Sequence, residues 1–219
     1  MAKIALFGAT GTIGKRILRE ALDRGHHVTA VVRDPAKLAD QQHQNLAVVV
    51  GDVLDPTSVT EAATGQDVLV SAVGGGQGDG PGHLATVQPS AKALVGGVRT
   101  LGDEAPRLIM VGGAGSLRTP DGKQVWDAEG LPEPVLQIMH AHGDALDFLR
   151  TVTDVRWTSL SPAALIEPGE RTGVYRTDTD NLVLDAEGAS RISAEDYAVA
   201  LLDEIERPQH VGERFTVGY

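Results

Sequence analysis

KIALFGATGTIG, residues Lys3–Gly14, decides the fold of this chain. Ile4–Phe7 is a short unbroken apolar run, which is typical of a strand buried on both faces of a sheet. Gly8, Gly11 and Gly14 follow at once, and apolar residues then recur at helical spacing. Such a strand, glycine turn and helix start aim backbone N–H groups and the positive end of a helix dipole at one point. The flanking strand and helix favour a dinucleotide pyrophosphate site over an ordinary glycine turn.

The composition indicates an acidic chain without cysteine. With 219 residues, 42% of them hydrophobic, the chain is long enough for one substantial core and short for two full domains. A net charge of -11 argues against a surface for nucleic acid or for an anionic membrane. The absence of cysteine excludes disulfides and thiolate metal sites, and the histidines do not cluster as metal ligands. Since no secretory signal or membrane span is visible, we expect a cytoplasmic monomer or homodimer.

Strands and helices alternate through the first 160 residues. This alternation predicts an α/β fold, a doubly wound parallel sheet with helices on both faces. The predicted strands after the first are His27–Val32, Leu46–Val50, Asp67–Val73, Arg107–Val111 and Val155–Leu160, and the helices between them include Pro56–Ala63, Leu84–Leu101 and Val135–Thr153.

The remaining residues break this alternation. Short strand-like pieces at Gly173–Arg176 and Leu182–Leu184 follow a polar turn. Ser193 then begins a helix as its N-cap, and Arg214–Val217 is predicted as a final edge strand. We therefore expect one NAD(P)-binding domain over residues 1–219, in which residues 163–192 form a small C-terminal cap on the substrate side.

The end of the second strand bears on the choice of cofactor. Arg33 lies there, 19 residues after Gly14. In dinucleotide folds an acidic residue at this point favours NAD, whereas an arginine accommodates the 2′-phosphate of NADP. Asp34 is an alternative ribose ligand, but an aspartate before Pro35 is also a good helix N-cap. The sequence therefore favours NADP, with NAD as the alternative.

Two glycine clusters follow predicted strands. Gly74–Gly82 has six glycines in nine residues and lies where open α/β sheets bind ligands. It is either a loop over the nicotinamide or an irregular surface segment. Gly112–Ser116 is a second cluster, and its missing side chains let the backbone approach a flat ligand closely.

The glycine spacing resembles that of the short-chain dehydrogenase/reductase superfamily. FGATGTIG, VVRDPAKL, MVGGAGSL, SRISAEDYAVALLDEIE and RFTVGY, spread from residue 4 to residue 219, resemble one atypical group of it. These are NAD(P)H-binding proteins described as NADH-flavin reductase-like, and they are distantly related to biliverdin reductase B. The resemblance implies a Rossmann-like fold, a nicotinamide cofactor and a small planar substrate.

The resemblance also implies a set of cofactor contacts. Asp52 lies beside the adenine in this interpretation, although a Gly-Asp pair is equally common in turns. The full set is Gly8, Thr10, Gly11, Thr12 and Ile13 for the pyrophosphate, Arg33 for the 2′-phosphate, Asp52 and Val53 for the adenine, Ala72, Val73, Gly74, Gly112, Gly113 and Ala114 for the nicotinamide and its ribose, and Pro162 for the far side.

The usual catalytic tyrosine of that superfamily is missing. Its Tyr-x-x-x-Lys pair belongs on the helix after the fifth strand, where the tyrosine exchanges the substrate proton. Tyr175, Tyr197 and Tyr219 all lie past that helix, and no lysine follows Lys123. Alcohol or sugar oxidation through such a tyrosine is therefore not expected.

Two residues are candidates for its catalytic work. His142 falls where the lysine would be, and its imidazole would hold the ribose or relay a proton. The alternative is that His140 and His142 lie on an exposed helix start. Ser116 is a candidate for the superfamily's serine or simply a turn residue.

Two functions fit these features. The first is an NAD(P)H-dependent oxidoreductase that transfers hydride to a flavin, a quinone or a similar planar acceptor, because the cofactor itself carries that chemistry. The second is a non-catalytic, NADP-binding redox sensor that acts through a protein partner.

Overall fold

A computed structural model describes all 219 residues of the chain. The chain contains ten strands and five α-helices. The strands are β1 (Lys3–Phe7), β2 (His27–Val32), β3 (Leu46–Val50), β4 (Val68–Ser71), β5 (Arg107–Val111), β6 (Trp157–Ser161), β7 (Leu165–Glu167), β8 (Arg176–Asp178), β9 (Arg191–Ser193) and β10 (Glu213–Gly218). The helices are α1 (Thr12–Asp23), α2 (Pro56–Ala63), α3 (Gly80–Arg99), α4 (Glu133–Arg150) and α5 (Ala194–Glu206).

Eight strands form one sheet in the order β3-β2-β1-β4-β5-β6-β10-β8. Every neighbouring pair is parallel except β10 with β8. The strand order reverses between β1 and β4, so the crevice beyond their carboxyl ends is the topological switch point at which such sheets bind ligands. The predicted parallel sheet is confirmed.

Alternate residues of the central strand face opposite layers. Ile4 and Leu6 of β1 pack in one buried cluster with residues of α1 and α5. Ala5 and Phe7 pack in the other cluster with α2, α3 and α4. Both faces of the sheet are covered by helices, so the apolar run Ile4–Phe7 of β1 is buried, as the sequence predicted.

Only the first part of the glycine-rich stretch Gly74–Gly82 is a loop, because its last three residues are helical. Helix α3 already begins at Gly80, four residues before the predicted Leu84. Its N-cap Asp79 accepts a hydrogen bond of 2.9 Å from the Gly82 N–H, and Pro81 occupies the first turn. A capping carboxylate and a proline at this position start a helix in spite of the glycines.

The cap differs from the prediction in two strands. Gly173–Arg176 is wrong as a strand, because the Asp196 carboxylate accepts from the Gly173 N–H and removes it from any ladder. Leu182–Leu184 is also wrong, since Leu182 donates instead to the Arg118 carbonyl in a loop. In this region β8 joins the main sheet, while β7 and β9 form a separate parallel pair, and the substrate-side cap stays a prediction.

The final strand is not an edge strand. β10 lies between β6 and β8, and it pairs with β8 through Val217 opposite Thr177. Its side chains are buried from Arg214 onwards. The predicted N-cap before α5 is confirmed, because Ser193 Oγ accepts a hydrogen bond of 2.9 Å from the Asp196 N–H. No helix has the length and apolarity that a membrane crossing requires.

Candidate functional site

The turn between β1 and α1 has room only for glycine at two positions. Gly8 has φ +84°, and a Cβ there would lie 2.5 Å from the Ala72 carbonyl oxygen. A Cβ at Gly14 would lie well under 3.0 Å from the Gly8 carbonyl oxygen. The missing side chains therefore bring α1 close against the ends of β1 and β4, which is the packing that a dinucleotide turn needs.

The first turn of α1 leaves its N–H groups free. Gly11 is the N-cap residue and offers no side-chain acceptor. The N–H groups of Thr12, Ile13 and Gly14 donate to no acceptor in the protein. In contrast, Asp55 caps α2 and Ser193 caps α5 through their side chains. Free donors at the positive end of the helix fit a pyrophosphate, and the predicted contacts of Gly8 and residues 10–13 with it stay a prediction.

The remaining predicted contacts lie along the same edge of the sheet. The registers place Phe7 beside Ser71, Ser71 beside Met110, and Val111 beside Leu160. The segments that follow these strands are therefore neighbours: Gly8, Ala72–Gly74, Gly112–Ala114 and Pro162. Arg33, Asp52 and Val53 follow β2 and β3 at this edge, on the other side of β1.

Arg33 is a free cation at the end of β2. Its side chain is exposed and has no hydrogen-bond or ion-pair partner in the protein. Asp34 instead caps the short 3₁₀ turn Pro35–Leu38, because its Oδ1 accepts from the Ala36 N–H at 3.1 Å. This confirms the capping interpretation of Asp34 and leaves Arg33 available to an incoming phosphate.

Asp52 has a structural task of its own. Its Oδ1 accepts a hydrogen bond of 3.0 Å from the Leu54 N–H, which closes a turn after β3. The neighbouring Val53 is buried. The turn interpretation of Asp52 is therefore confirmed, while the adenine contact of Asp52 and Val53 stays a prediction.

His142 faces the end of β5 rather than lying on an open helix surface. Its Cβ is only 2.8 Å from where a Cβ at Gly113 would stand, so this glycine makes room for the histidine. Its Nδ1 is buried and has no hydrogen-bond partner. Burial, together with the neighbouring His83, lowers the pKa of His142 to about 4. The imidazole is therefore neutral near neutral pH, with one ring nitrogen unsatisfied.

His140 and His83 complete the histidines of this region. His140 is exposed and stacks on Trp126 with ring centroids 4.9 Å apart, as expected for a helix surface. The ring centroid of His83, on α3, lies 5.7 Å from that of His142. Sequence reasoning missed His83, because 58 residues separate it from His142 and only the packing of α3 against α4 unites them. The only sequence signal that could have pointed to His83 is its position four residues after Asp79, the N-cap of α3.

Ser116 is held by a buried arginine. Arg214 Nη1 donates a hydrogen bond of 2.7 Å to Ser116 Oγ, and Arg214 also pairs with Asp180 of the cap. This arrangement ties the loop after β5 to the last strand and to the cap. The hydroxyl keeps its own proton to donate, so its catalytic role stays a prediction.

Each tyrosine phenol donates to an acceptor inside the protein. Tyr197 is fully buried and donates to the Leu160 carbonyl at 2.6 Å, and burial raises its pKa well above the usual value. Tyr175 donates to Asp203, and Tyr219 donates to Asp196. Burial raises the pKa of both phenols as well. These tyrosines are engaged in structural bonds rather than placed as the superfamily's proton carrier.

Other parts of the surface offer less. No group of three or more acidic or histidine side chains has the arrangement of a metal site. A depression of about 300 Å³ is lined by residues of the loop after β5, such as Arg118 and Gly122, and one of about 640 Å³ by Gly173–Thr177 and Asp203, and neither lies at the carboxyl ends of β1, β4 and β5.

The comparisons with known proteins agree with this geometry. A family model described as NAD(P)H-binding matches residues 8–208. The chain is 39% identical over 218 residues to the uncharacterized protein YwnB of Bacillus subtilis. The alignment covers 98% of this chain and 97% of that protein.

Solved structures match over the whole chain. A candidate exported protein from Burkholderia pseudomallei is 47% identical, with a TM-score of 0.86 and 100% coverage of both chains. A candidate epimerase from Bacteroides thetaiotaomicron is 40% identical, with a TM-score of 0.89 and coverage of 100% of this chain and 97% of that one. A candidate NADH-flavin reductase from Streptococcus pneumoniae is 32% identical, with a TM-score of 0.85 and coverage of 100% and 99%.

Proposed function

Because the chain belongs to the NAD(P)H-binding family, we propose that it is a reductase that takes hydride from NADPH and delivers it to a flavin, a quinone or a similar planar acceptor. The observation that carries the proposal is the glycine edge itself. At Gly8 and Gly14 a Cβ would collide with neighbouring backbone, so only glycine lets α1 pack against the ends of β1 and β4 and bring its free N–H groups to the point where a dinucleotide would lie.

The preference for NADPH rests on Arg33. An exposed, unpaired guanidinium at the end of β2 offers a charge-assisted, bidentate bond to a 2′-phosphate. No carboxylate at this position competes for it, since Asp34 is turned to the Ala36 N–H. NADH would lose this bond and bind more weakly.

The nature of the acceptor follows from what the protein lacks. Bound NADPH supplies the hydride, and the protein supplies orientation and a site shielded from water. The superfamily's chemistry on alcohols, ketones and sugars uses a tyrosine as the proton carrier, and the three phenols of this chain are bonded elsewhere. Flavins and quinones are planar and accept hydride readily, so they suit an edge built from glycine backbone. Superfamily sugar epimerases use the same tyrosine, which sets this chain apart from an epimerase.

We also propose a cellular location and an oligomeric state. The protein would work in the cytoplasm, with small-molecule partners only, as a monomer or a homodimer. The candidate flavin reductase from Streptococcus pneumoniae supports the assignment of the acceptor through its similarity over the whole chain.

Steady-state oxidation of NADPH by the purified protein tests the proposal. FMN, riboflavin and a simple naphthoquinone are offered in turn, with the protein-free rate subtracted. We expect turnover above that rate with at least one acceptor. Tight NADPH binding without turnover on any of them contradicts the reductase and favours the NADP-binding sensor, and pull-down with an NADPH-loaded protein would then seek its partner.

A further inference from the structure

Two imidazoles meet where β4 and β5 end. The ring centroids of His83 and His142 lie 5.7 Å apart, with the planes inclined at 54°. Each ring approaches a glycine of the candidate site. A Cβ at Gly74 would be 2.7 Å from His83 Nε2, and a Cβ at Gly113 would be 2.8 Å from His142 Cβ. Both histidines therefore border the strand ends proposed to hold the nicotinamide.

One hydrogen bond fixes the tautomer of His83. Its Nδ1 lies 2.8 Å from the carbonyl oxygen of Asp79, one turn earlier on the same helix. Because a carbonyl oxygen only accepts, Nδ1 carries the hydrogen and donates it. The second nitrogen, Nε2, is then the one that exchanges a proton, and it is the nitrogen beside Gly74.

His142 is not the proton donor of this pair. His142 Nδ1 is buried without a partner, and burial together with His83 lowers the pKa of His142 to about 4. A protonated His83 keeps its bond to the Asp79 carbonyl. Charged groups on the adjoining turns include the Asp79 carboxylate, which accepts from the Gly82 N–H, Glu133 on α4, which accepts from Gln137, and the exposed Asp144 two residues after His142.

We propose that His83 is a catalytic residue, whose Nε2 donates the proton that completes reduction of the acceptor, and that His142 is a positioning residue beside it. This inference rests on the proposed function. The acceptor gains a hydride and becomes an anion, the Nε2–H bond of His83 breaks, and an O–H or N–H bond forms on the acceptor. The neutral ring then regains a proton from water at the exposed loop that precedes it.

Two acceptors separate proton donation from hydride transfer. A naphthoquinone needs a hydride and a proton, whereas the N-methylphenazinium cation becomes neutral by taking a hydride alone. We compare wild type with His83→Gln, whose amide keeps hydrogen bonding but carries no exchangeable charge. His83→Asn is the second variant. His27→Gln is the control, since His27 is exposed at the start of β2, on the opposite edge of the sheet.

We expect His83→Gln to lower kcat with the quinone by about 10²-fold, the usual size of a general-acid contribution, while phenazinium turnover and NADPH affinity stay at wild-type levels. The wild-type rate with the quinone should fall as pH rises, and the residual rate of the variant should not change with pH. His27→Gln should behave as wild type.

Equal losses with both acceptors would assign His83 a merely structural role and overturn the inference, as would unchanged quinone turnover in both His83 variants. Wild-type protein that binds NADPH but reduces neither acceptor contradicts the proposed function as well. The failure of the inference alone is thus distinguishable from the failure of the reductase.

Discussion

A Cβ placed on Gly14 would lie well under 3.0 Å from the carbonyl oxygen of Gly8, and no flexible side chain is present to give way. The two glycines therefore set the distance between the start of α1 and the end of β1. The same distance brings the free N–H groups of the helix to the edge of the sheet, where a pyrophosphate would lie. Fold and cofactor site thus depend on one contact.

Gly14→Ala should damage both stability and cofactor binding. The added methyl group must displace the backbone at Gly8, and overpacking of this kind costs about 1–3 kcal/mol. Gly96→Ala is the matched control, because Gly96 is also helical and a Cβ there meets nothing within 4 Å. The control should gain up to about 1 kcal/mol from helix propensity. Urea unfolding and NADPH titration of both variants check this, and equal behaviour of the two would refute the crowding argument.

Arg33→Ala should weaken NADPH binding selectively. Loss of a hydrogen bond between charged groups costs about 1.5–3 kcal/mol, which is roughly 10- to 100-fold in Kd. NADH affinity should not change, because NADH has no 2′-phosphate. Arg156→Ala removes the same charge from the opposite edge of the sheet, where Arg156 bonds only the Ala105 carbonyl. Calorimetric titrations that show equal loss for both cofactors would exclude Arg33 as the 2′-phosphate ligand.

His142 should make stability depend on pH. Its pKa is lowered in the folded protein, to about 4 against 6.5, so the unfolded chain binds a proton first as pH falls. The stabilisation is present above pH 6.5 and is lost as pH falls towards 4, by up to about 1.4 kcal/mol per pH unit. His142→Gln should lack this component, while the exposed His27→Gln retains it. Unfolding free energies across this range provide the measurement, and identical pH slopes would show that His142 is protonated in the folded state.

The buried pair Arg107–Glu204 should matter for folding rather than for turnover. Burial raises the pKa of Glu204, but bonds from Arg107 and His210 outweigh it and leave that pKa below the usual 4.5. Glu204→Gln leaves a buried guanidinium without its counter-charge and should cost about 3–5 kcal/mol. Because the pKa is lowered, the wild type keeps this stabilisation above pH 4.5 and loses it as the carboxylate is protonated. Urea unfolding near neutral pH should show the loss, and a variant as stable as wild type would contradict it.

The sequence predicts the sheet well because the central strands are buried on both faces. Ile4–Phe7 of β1 and Leu108–Val111 of β5 are apolar and buried, and β5 occupies the predicted residues. The cap has no such signal. Its segments are placed by side-chain bonds, such as that of Asp196 to the Gly173 N–H, which no local pattern reveals. For the same reason β10 was mistaken for an edge strand, since its neighbour β8 is only three residues long.

The residues of the candidate site also fall into two groups, those recognisable from local sequence spacing and those brought together only by packing. Gly8, Gly14 and Arg33 are recognisable because their spacing follows from the strand–turn–helix unit. His83 is not, because its importance comes from contact with His142 across two helices. Ser116 shows the converse case: a residue chosen by its motif is bonded to Arg214 from a distant strand.

We propose that the protein passes hydride from NADPH to a planar acceptor. Rapid anaerobic mixing of the protein–NADPH complex with FMN or a naphthoquinone tests it most directly, using NADPH with hydrogen or deuterium at the transferred position. We predict oxidation that is faster than in free solution, slowed by deuterium, and lost in Gly14→Ala. A rate equal to that of free NADPH, with the cofactor demonstrably bound, would contradict it.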